Sequence, residues 1–454
     1  MQNRAQWQSR LGFILAATGS AVGLGNVWKF PYITGMNGGG LFVLIYLLCI
    51  AGVGLPILAA EVLLGRTTAQ SPVGAFRNLS GKGSPWVLVG LLGVITAGTI
   101  LSYYGVVAGW CLDYILLSVD GRLLGTAPEE IPSLFPELYG DATRNVVWLT
   151  IFVAATIWVI LGGVRRGVEK ASRILMPLLF VMLAVLLVNS FTLPGLGEAV
   201  DFLFAPRPEN LTPAGVLEAL GHSFFSLSVA MGAMLTYGSY LSKSESIPAT
   251  SLAVGGLDTV ISVVACLVLF PIIFSFGMEA SSGPGLVFMS IPTALVQLPL
   301  GALWSVLFFA LLFLAAWSSA ISLLEVLVAY GIDEWKLSRR KSTLLFGSVI
   351  YLLGIPSALS GSEGFFGKGL QELTGRNWFD WFDYVASNWF LPLGGLGISI
   401  FVAWKLEDQL RRTAFTEGTP EAWQARLYAG WLMLLRYLAP VAIVAIFLHV
   451  IGVI

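Results

Sequence analysis

Ionisable side chains are scarce in this chain: Lys, Arg, Asp and Glu make up 11% of its 454 residues, against 56% hydrophobic ones. A soluble globule of that length cannot cover its surface with so little charge, and a mean hydropathy of +0.82 points instead to an integral membrane protein. The 25 cations and 26 anions nearly cancel, which leaves no electrostatic footprint for nucleic acid. Two histidines, His222 and His449, exclude a multi-histidine metal centre. The only cysteines, Cys49, Cys111 and Cys266, lie in apolar runs without disulfide or metal-ligand spacing and read as packing residues. No His-Glu-x-x-His, no nucleophile with a partner base and no phosphate-cradling loop occurs, so an enzyme is not expected. No long polar linker or appended soluble domain divides the chain. Arg4 and Arg10 precede the first apolar run, but no small-residue cleavage site follows it, so a signal peptide is not expected either.

What the chain does contain is long apolar runs. A membrane span needs about 20 such residues, and eleven stretches qualify: 10–36, 40–65, 86–119, 145–162, 167–189, 217–243, 249–275, 296–331, 342–360, 378–405 and 428–452. The connecting segments alternate in charge. Arg4, Arg10, Arg66, Arg77, Lys82, Arg165, Arg166, Lys170, Arg173, Lys243, Lys336, Arg339, Arg340, Lys341, Lys405, Arg411, Arg412 and Arg426 fall on one side. The other side holds mainly Arg122, Arg144, Arg207, Lys368 and Arg376, diluted by acids. The positive-inside rule then places the N-terminus in the cytoplasm and the C-terminus outside, which requires an odd number of spans. Loops 120–144, 190–216, 276–295 and 361–377 are the longer outer ones, and their Pro, Gly and aromatic content suggests ordered caps.

Two spans are unlike the others. The first carries Gly19-Ser20-Ala21-Val22-Gly23-Leu24-Gly25-Asn26-Val27-Trp28-Lys29-Phe30-Pro31, with alternating glycines, an amide and a cation at membrane depth. Glycine permits non-helical backbone, and freed main-chain groups cost several kcal/mol in hydrocarbon unless something pairs with them. The sixth carries His222-Ser223-Phe224-Phe225-Ser226-Leu227-Ser228-Val229-Ala230-Met231-Gly232, five spans later. A small-residue packing face accounts for either run alone. Interrupted spans at corresponding positions of two halves point instead to an inverted-repeat transporter with its site at the repeat interface.

With Gly23-Leu24-Gly25-Asn26 and Phe30-Pro31, Asn37-Gly38-Gly39-Gly40, Glu61 with Gly65-Arg66, Tyr103-Tyr104, the Phe225–Gly232 break, Ser318-Ser319, and Gly167 followed by Pro177, the chain resembles the neurotransmitter:sodium symporters over nearly its whole length, particularly their bacterial amino-acid transporters. The resemblance implies an all-α, single-domain polytopic protein (1–454) of the leucine-transporter fold. Residues 10–189 would form one inverted repeat, 217–405 the second, and 428–452 an additional eleventh helix. It implies sodium-coupled symport of an amino acid by alternating access across the plasma (inner) membrane, by a monomer or homodimer. A proton-coupled carrier on the same fold, or an amino-acid sensor that does not transport, is the alternative.

By the same resemblance, Leu24 and Gly25 N–H groups and the Tyr104 hydroxyl hold the substrate carboxylate, a role suited to a half-helix N-terminus. Carbonyls of Ala21, Phe225 and Ser226 and the Ser228 hydroxyl meet the ammonium. Family members that carry biogenic amines have an aspartate where Gly23 stands, so a ligand here must bring its own carboxylate. Ile100, Tyr104, Phe225, Met231, Ser319 and Leu323 form an apolar side-chain pocket, and the flexible Met231 favours broad aliphatic-to-aromatic selectivity. One sodium ion is implied among Ala21, Asn26, Ser226, Asp258 and the substrate carboxylate, a second among Gly19, Val22, Ala315, Ser318 and Ser319.

Chloride-dependent members hold the anion among groups matching Tyr46, His222, Ser226, Asp258 and Ser262. The carboxylate of Asp258 supplies that negative charge here, which implies that chloride is not required. His222 either makes uptake pH-sensitive or serves as a neutral donor to Asp258. Lys29 and Asp383 match an outer ion pair, with Tyr104 and Phe225 as lid; lysine replaces the usual arginine and makes a point contact without the planar fork. Arg4, Asp333 and Tyr240, with Ser239 beside them, match the inner gate. Glu325 is a second buried acid besides Glu61, without an evident partner.

Overall fold

The computed structural model describes residues 5–278 and 285–453, and those residues form helices without strands. Nine of these helices are long and apolar enough to cross a bilayer: Gly40–Thr68, Val87–Val119, Ala142–Leu161, Val164–Ser190, Ile247–Ser275, Gly301–Trp335, Arg339–Ala358, Trp378–Lys405 and Glu421–Val450. A further crossing is a bent pair, Arg10–Ala21 and Gly25–Met36, with a 50° angle at the break. Between Val164–Ser190 and Ile247–Ser275 lies the other interrupted span, built from Pro213–Ser226 and Ala233–Gly238. Broken helices thus occupy the first and sixth positions of the series.

Most boundaries lie within a few residues of the hydropathy reading; the eleventh span starts earlier, at Glu421 rather than 428, and the eighth starts later. It begins at Gly301 rather than 296 because Leu300 turns left-handed at φ +62°, and a separate apolar helix, Leu286–Leu295, occupies part of the expected loop 276–295. The outer connections also carry helices of their own, Ile131–Gly140 and Leu196–Phe204, in keeping with ordered caps.

Local chemistry explains both breaks. In the first span, Val22 leaves helical geometry (φ −74°, ψ 100°) while its N–H still closes the inner helix on Thr18 O. Helix resumes at Gly25, so Gly23 and Leu24 sit at the elbow. In the sixth span, Ser228 (φ +51°), Ala230 (φ +66°) and Gly232 (φ +74°) are left-handed. Such a conformation costs a non-glycine residue about 1–2 kcal/mol. The fully buried carboxylate of Glu61, on the second span, offsets that cost by accepting the N–H of Ala230 and, at 3.2 Å, that of Leu235. The second span approaches closely enough to do this because a Cβ at Gly65 would overlap the Leu235 carbonyl oxygen, and one at Gly238 would lie 2.8 Å from that of Val62. The third and eighth spans pack along each other, and the inner half of the first span lies on the eighth.

Candidate functional site

The two elbows face each other across a small cavity of about 20 Å³. Of the residues expected to hold substrate, Ala21, Gly23, Gly25, Ile100, Tyr104, Phe225, Ser228, Met231, Ser319 and Leu323 line it. Leu24 adjoins it through its N–H, which donates to the Tyr104 hydroxyl at 2.8 Å, and Ser226 closes the adjoining half-helix. Space of that size holds about one water molecule, so these walls have to part to admit an amino acid. A Cβ at Gly23 would lie 2.5 Å from the Tyr104 hydroxyl and 2.6 Å from that of Ser319. The absence of a side chain is therefore what lets those two hydroxyls reach the elbow.

Ser20, which the sequence reading did not single out, is the node of this region. Its carbonyl accepts from the hydroxyls of Ser228 (2.7 Å) and Ser319 (3.0 Å), and its own hydroxyl donates to Ser322 at 2.7 Å. First, sixth and eighth spans are thereby tied through one residue. The Ser228 hydroxyl, expected to face an ammonium group, is committed to Ser20 O in this closed arrangement.

Around the elbow's other side, Asn26, Tyr46, Ser226, Asp258 and Ser262 come together. The Asn26 amide donates to Asp258 Oδ1 (2.7 Å) and the Ser262 hydroxyl (2.8 Å), while its Oδ1 accepts from Gly23 N–H at 3.0 Å. The Ser226 hydroxyl lies 2.8 and 2.9 Å from the two Asp258 oxygens and accepts from Tyr46 at 2.9 Å. Asp258 is completely buried, and a buried carboxylate is tolerable only with such hydrogen bonding. The expected sodium role for Asn26 needs its amide oxygen, which keeps one lone pair beyond the Gly23 contact.

His222 departs from expectation. It does not donate to Asp258: both ring nitrogens are buried without a hydrogen-bond partner, and the ring stacks against Phe30 at 5.8 Å. Its aromatic face, rather than its N–H, is what the surroundings select.

For the second cation cluster, the structure lays Gly19 against Ser318, with a Cβ at Gly19 reaching to 3.4 Å from Ser318 Cβ. The Ser319 hydroxyl lies 3.4 Å from Gly19 O, and the Ser318 hydroxyl bonds back to Ala315 O at 3.0 Å. Val22 is buried at the end of the same half-helix. The oxygens of this set thus belong to two neighbouring spans, and the elbow is held between them.

Charged groups close both ends of the cavity. On one side Lys29 Nζ stands 4.0 Å from Asp383 and 5.3 Å from the centre of the Phe225 ring. Tyr103 and Ser387 hydroxyls also bind Asp383, at 3.0 and 3.1 Å. On the opposite side, Arg4 lies outside the described residues, and Asp333 accepts the Ser71 N–H at 2.6 Å. The Tyr240 hydroxyl donates to Glu325 at 2.7 Å, and Glu325 pairs with Arg339, which also reaches Ile160 O at 2.9 Å. Glu325 therefore has two partners that its sequence neighbourhood did not reveal. Trp7 plugs the same side, its indole N–H bound to Tyr237 O at 3.0 Å and its ring packed on Phe13, Tyr237 and Tyr240. Buried Glu169 accepts Gln8 N–H at 3.0 Å and pairs with Arg173 at 2.6 Å, strapping this segment to the fifth span between Gly167 and Pro177.

Two broken spans, a hydroxyl-rich eighth span and a charge pair at either end are the arrangement of a carrier, and comparison with known proteins decides which kind. The Sodium:neurotransmitter symporter family matches residues 4–128 and 139–454. The chain belongs to that family. The uncharacterized sodium-dependent transporter YhdH of Bacillus subtilis is 37% identical over 453 residues, covering all of this chain and 99% of that one. A glycine transporter 2 of Xenopus laevis, described as sodium- and chloride-dependent, is 27% identical over 79% of this chain and 55% of its own length. The crystal structure of MhsT in complex with L-phenylalanine superimposes with a TM-score of 0.89 at 43% identity, over 98% of this chain and 99% of MhsT. A sodium:neurotransmitter symporter is a multi-pass, sodium-dependent membrane transporter and not an enzyme, and so is this chain.

Proposed function

We propose that the protein carries hydrophobic L-amino acids, aliphatic to aromatic, into the cell together with two sodium ions and without chloride. The observation that carries this reading is the meeting of the two elbows around Gly23. A half-helix begins there with its N–H groups, no side-chain charge intrudes, and the remaining wall is Ile100, Phe225, Met231 and Leu323. Main-chain donors at a helix start favour a carboxylate, and the apolar wall favours a hydrocarbon side chain. MhsT, 43% identical, is solved with phenylalanine, a ligand of this class.

Sodium prefers oxygen ligands, and two oxygen-rich clusters flank the cavity. Ala21, Asn26, Ser226, Asp258 and the incoming carboxylate would bind one ion; Gly19, Val22, Ala315, Ser318 and Ser319 would bind the other. A carboxylate shared between substrate and ion makes each raise the other's affinity by the same factor. The second ion would staple the inner half of the first span to the eighth, and its departure would free that half to swing. Among the chloride-site equivalents, Tyr46 and Ser226, with the neighbouring Asn26 amide, surround the Asp258 carboxylate, whose fixed charge does the work of a bound anion. The charge asymmetry of the loops supports an inside N-terminus in the inner membrane, with Lys29 and Asp383 on the outer side, and residues 10–189 and 217–405 as the two repeats.

Uptake into proteoliposomes tests this. An inward sodium gradient should drive accumulation of leucine, phenylalanine or tryptophan equally well in chloride and in gluconate, while a proton gradient alone should not. Asp258→Asn should convert the protein to chloride-dependent uptake. Uptake driven by protons without sodium, or preferring glutamate or lysine, would contradict the proposal.

A further inference from the structure

A cavity lies away from the transport path, at the ends of the third and fourth spans. It measures about 360 Å³, within the size range of about 300–1,000 Å³ that small ligands occupy. Leu117 and Leu134 are its apolar lining, and Arg122, Arg144 and Glu137 its charged groups. The third span ends at Val119 and the fourth begins at Ala142, so the cavity opens at the level where hydrocarbon gives way to headgroups. The helices that carry Leu117, Arg122 and Arg144 also expose Leu116 (48%), Val119 (68%), Leu124 (46%) and Val147 (50%).

The charges define what fits. Asp113 takes Nε and Nη2 of Arg144 at 2.6 and 2.7 Å, and Asp120 takes Nε of Arg122 at 2.7 Å. A guanidinium has five N–H donors, so both arginines keep terminal donors for a further acceptor, in the planar geometry that suits phosphate. Glu137 forms no ion pair among the described residues. Because each arginine is already balanced by its own aspartate, a purely anionic ligand would leave Glu137 beside like charge. A ligand with an anion and an N–H-bearing cation a few bonds apart satisfies all three groups.

We infer that this cavity is a lipid site for a phosphoethanolamine headgroup, its phosphate on Arg122 and Arg144, its ammonium on Glu137, and its acyl chains along Leu116, Val119 and Val147. A free zwitterion shares the headgroup chemistry, but the apolar margin assigns the site to the lipid.

Native mass spectrometry of the purified full chain tests this, after equilibration with phosphatidylethanolamine, phosphatidylcholine and phosphatidylglycerol of matched acyl chains. Retention of the ethanolamine lipid should exceed the other two roughly tenfold, the ratio that one charge-assisted contact carries. Choline lacks N–H donors, and glycerol lacks the cation. Glu137→Gln should bring the three lipids level, and Arg122→Ala should lower retention of all three. Both side chains are exposed, so thermal unfolding should be unchanged. Equal retention by the unaltered protein, or an intact ethanolamine preference in Glu137→Gln, would overturn the inference. So would full displacement by deacylated glycerophosphoethanolamine at low millimolar concentration, since that would assign the cavity to a free solute.

Discussion

On the Lys29 side of the central cavity, closure rests on one ion pair at 4.0 Å between side chains that are 23% and 39% exposed, with a cation over the Phe225 ring and the Tyr103 hydroxyl behind Asp383. On the Trp7 side, closure rests on a buried indole, a fully buried Glu325 held by Tyr240 and Arg339, and a buried Glu169 that straps residues 8–12 to the fifth span. Exposed ion pairs contribute about 0–1 kcal/mol, whereas breaking a buried one costs about 3–5 kcal/mol. The Lys29 side, outer on the proposed orientation, is thus a thin latch that thermal motion can lift, and the Trp7 side, inner on that orientation, a thick one that several contacts must release together. A sodium-coupled carrier benefits from that asymmetry: substrate can enter readily from outside, while passage inward waits until the site is filled.

The comparison can be broken most severely at Glu325. Glu325→Ala strands Arg339 and the Tyr240 hydroxyl, and a loss of about 3 kcal/mol would move the inward-to-outward ratio by at least a hundredfold. A cysteine introduced behind Trp7 should then label rapidly, and equilibrium substrate binding should fall. Unchanged labelling would mean the pair does not hold the inner side shut. Trp7→Ala removes a ring that packs on three others; about 2 kcal/mol, or some thirtyfold in the same ratio, is expected. On the thin side the effects shrink. Tyr103→Phe deletes one hydrogen bond to Asp383 and should speed substrate dissociation about fivefold, measured by isotope dilution. Lys29→Arg supplies a planar fork and should slow dissociation about twofold. If Lys29→Arg instead slowed it as much as Glu325→Ala shifts the inner equilibrium, the claimed inequality of the two barriers would be wrong.

How much of this is legible in the sequence depends on how far apart the partners lie along the chain. Both elbows are readable locally, because Gly23, Gly25 and the Ser226–Gly232 run are out of place in hydrocarbon. Gly23's meaning is equally local: the room it leaves for Tyr104 and Ser319 requires no side chain. The thick inner barrier is almost invisible by comparison. Trp7 meets Tyr237 across 230 positions, and Gln8 meets Glu169 across 161; nothing in either neighbourhood announces the pairing. Glu325 reads as an unpartnered acid until the start of the ninth span folds Arg339 against it. His222 misleads for a related reason: a histidine near a carboxylate suggests a hydrogen bond, whereas the stacking of Phe30 and Tyr46 orients the ring elsewhere. The Ser20 carbonyl went unnoticed because main-chain atoms leave no mark in composition.

Isothermal titration calorimetry on the purified protein tests the central claim most directly, with leucine, phenylalanine and tryptophan each titrated in sodium and then in potassium buffer. Saturable binding of at least one of them in sodium, lost in potassium, is the predicted result. Binding of equal strength in both buffers, or none in either, would contradict the account of two interrupted spans that need an amino acid and sodium together.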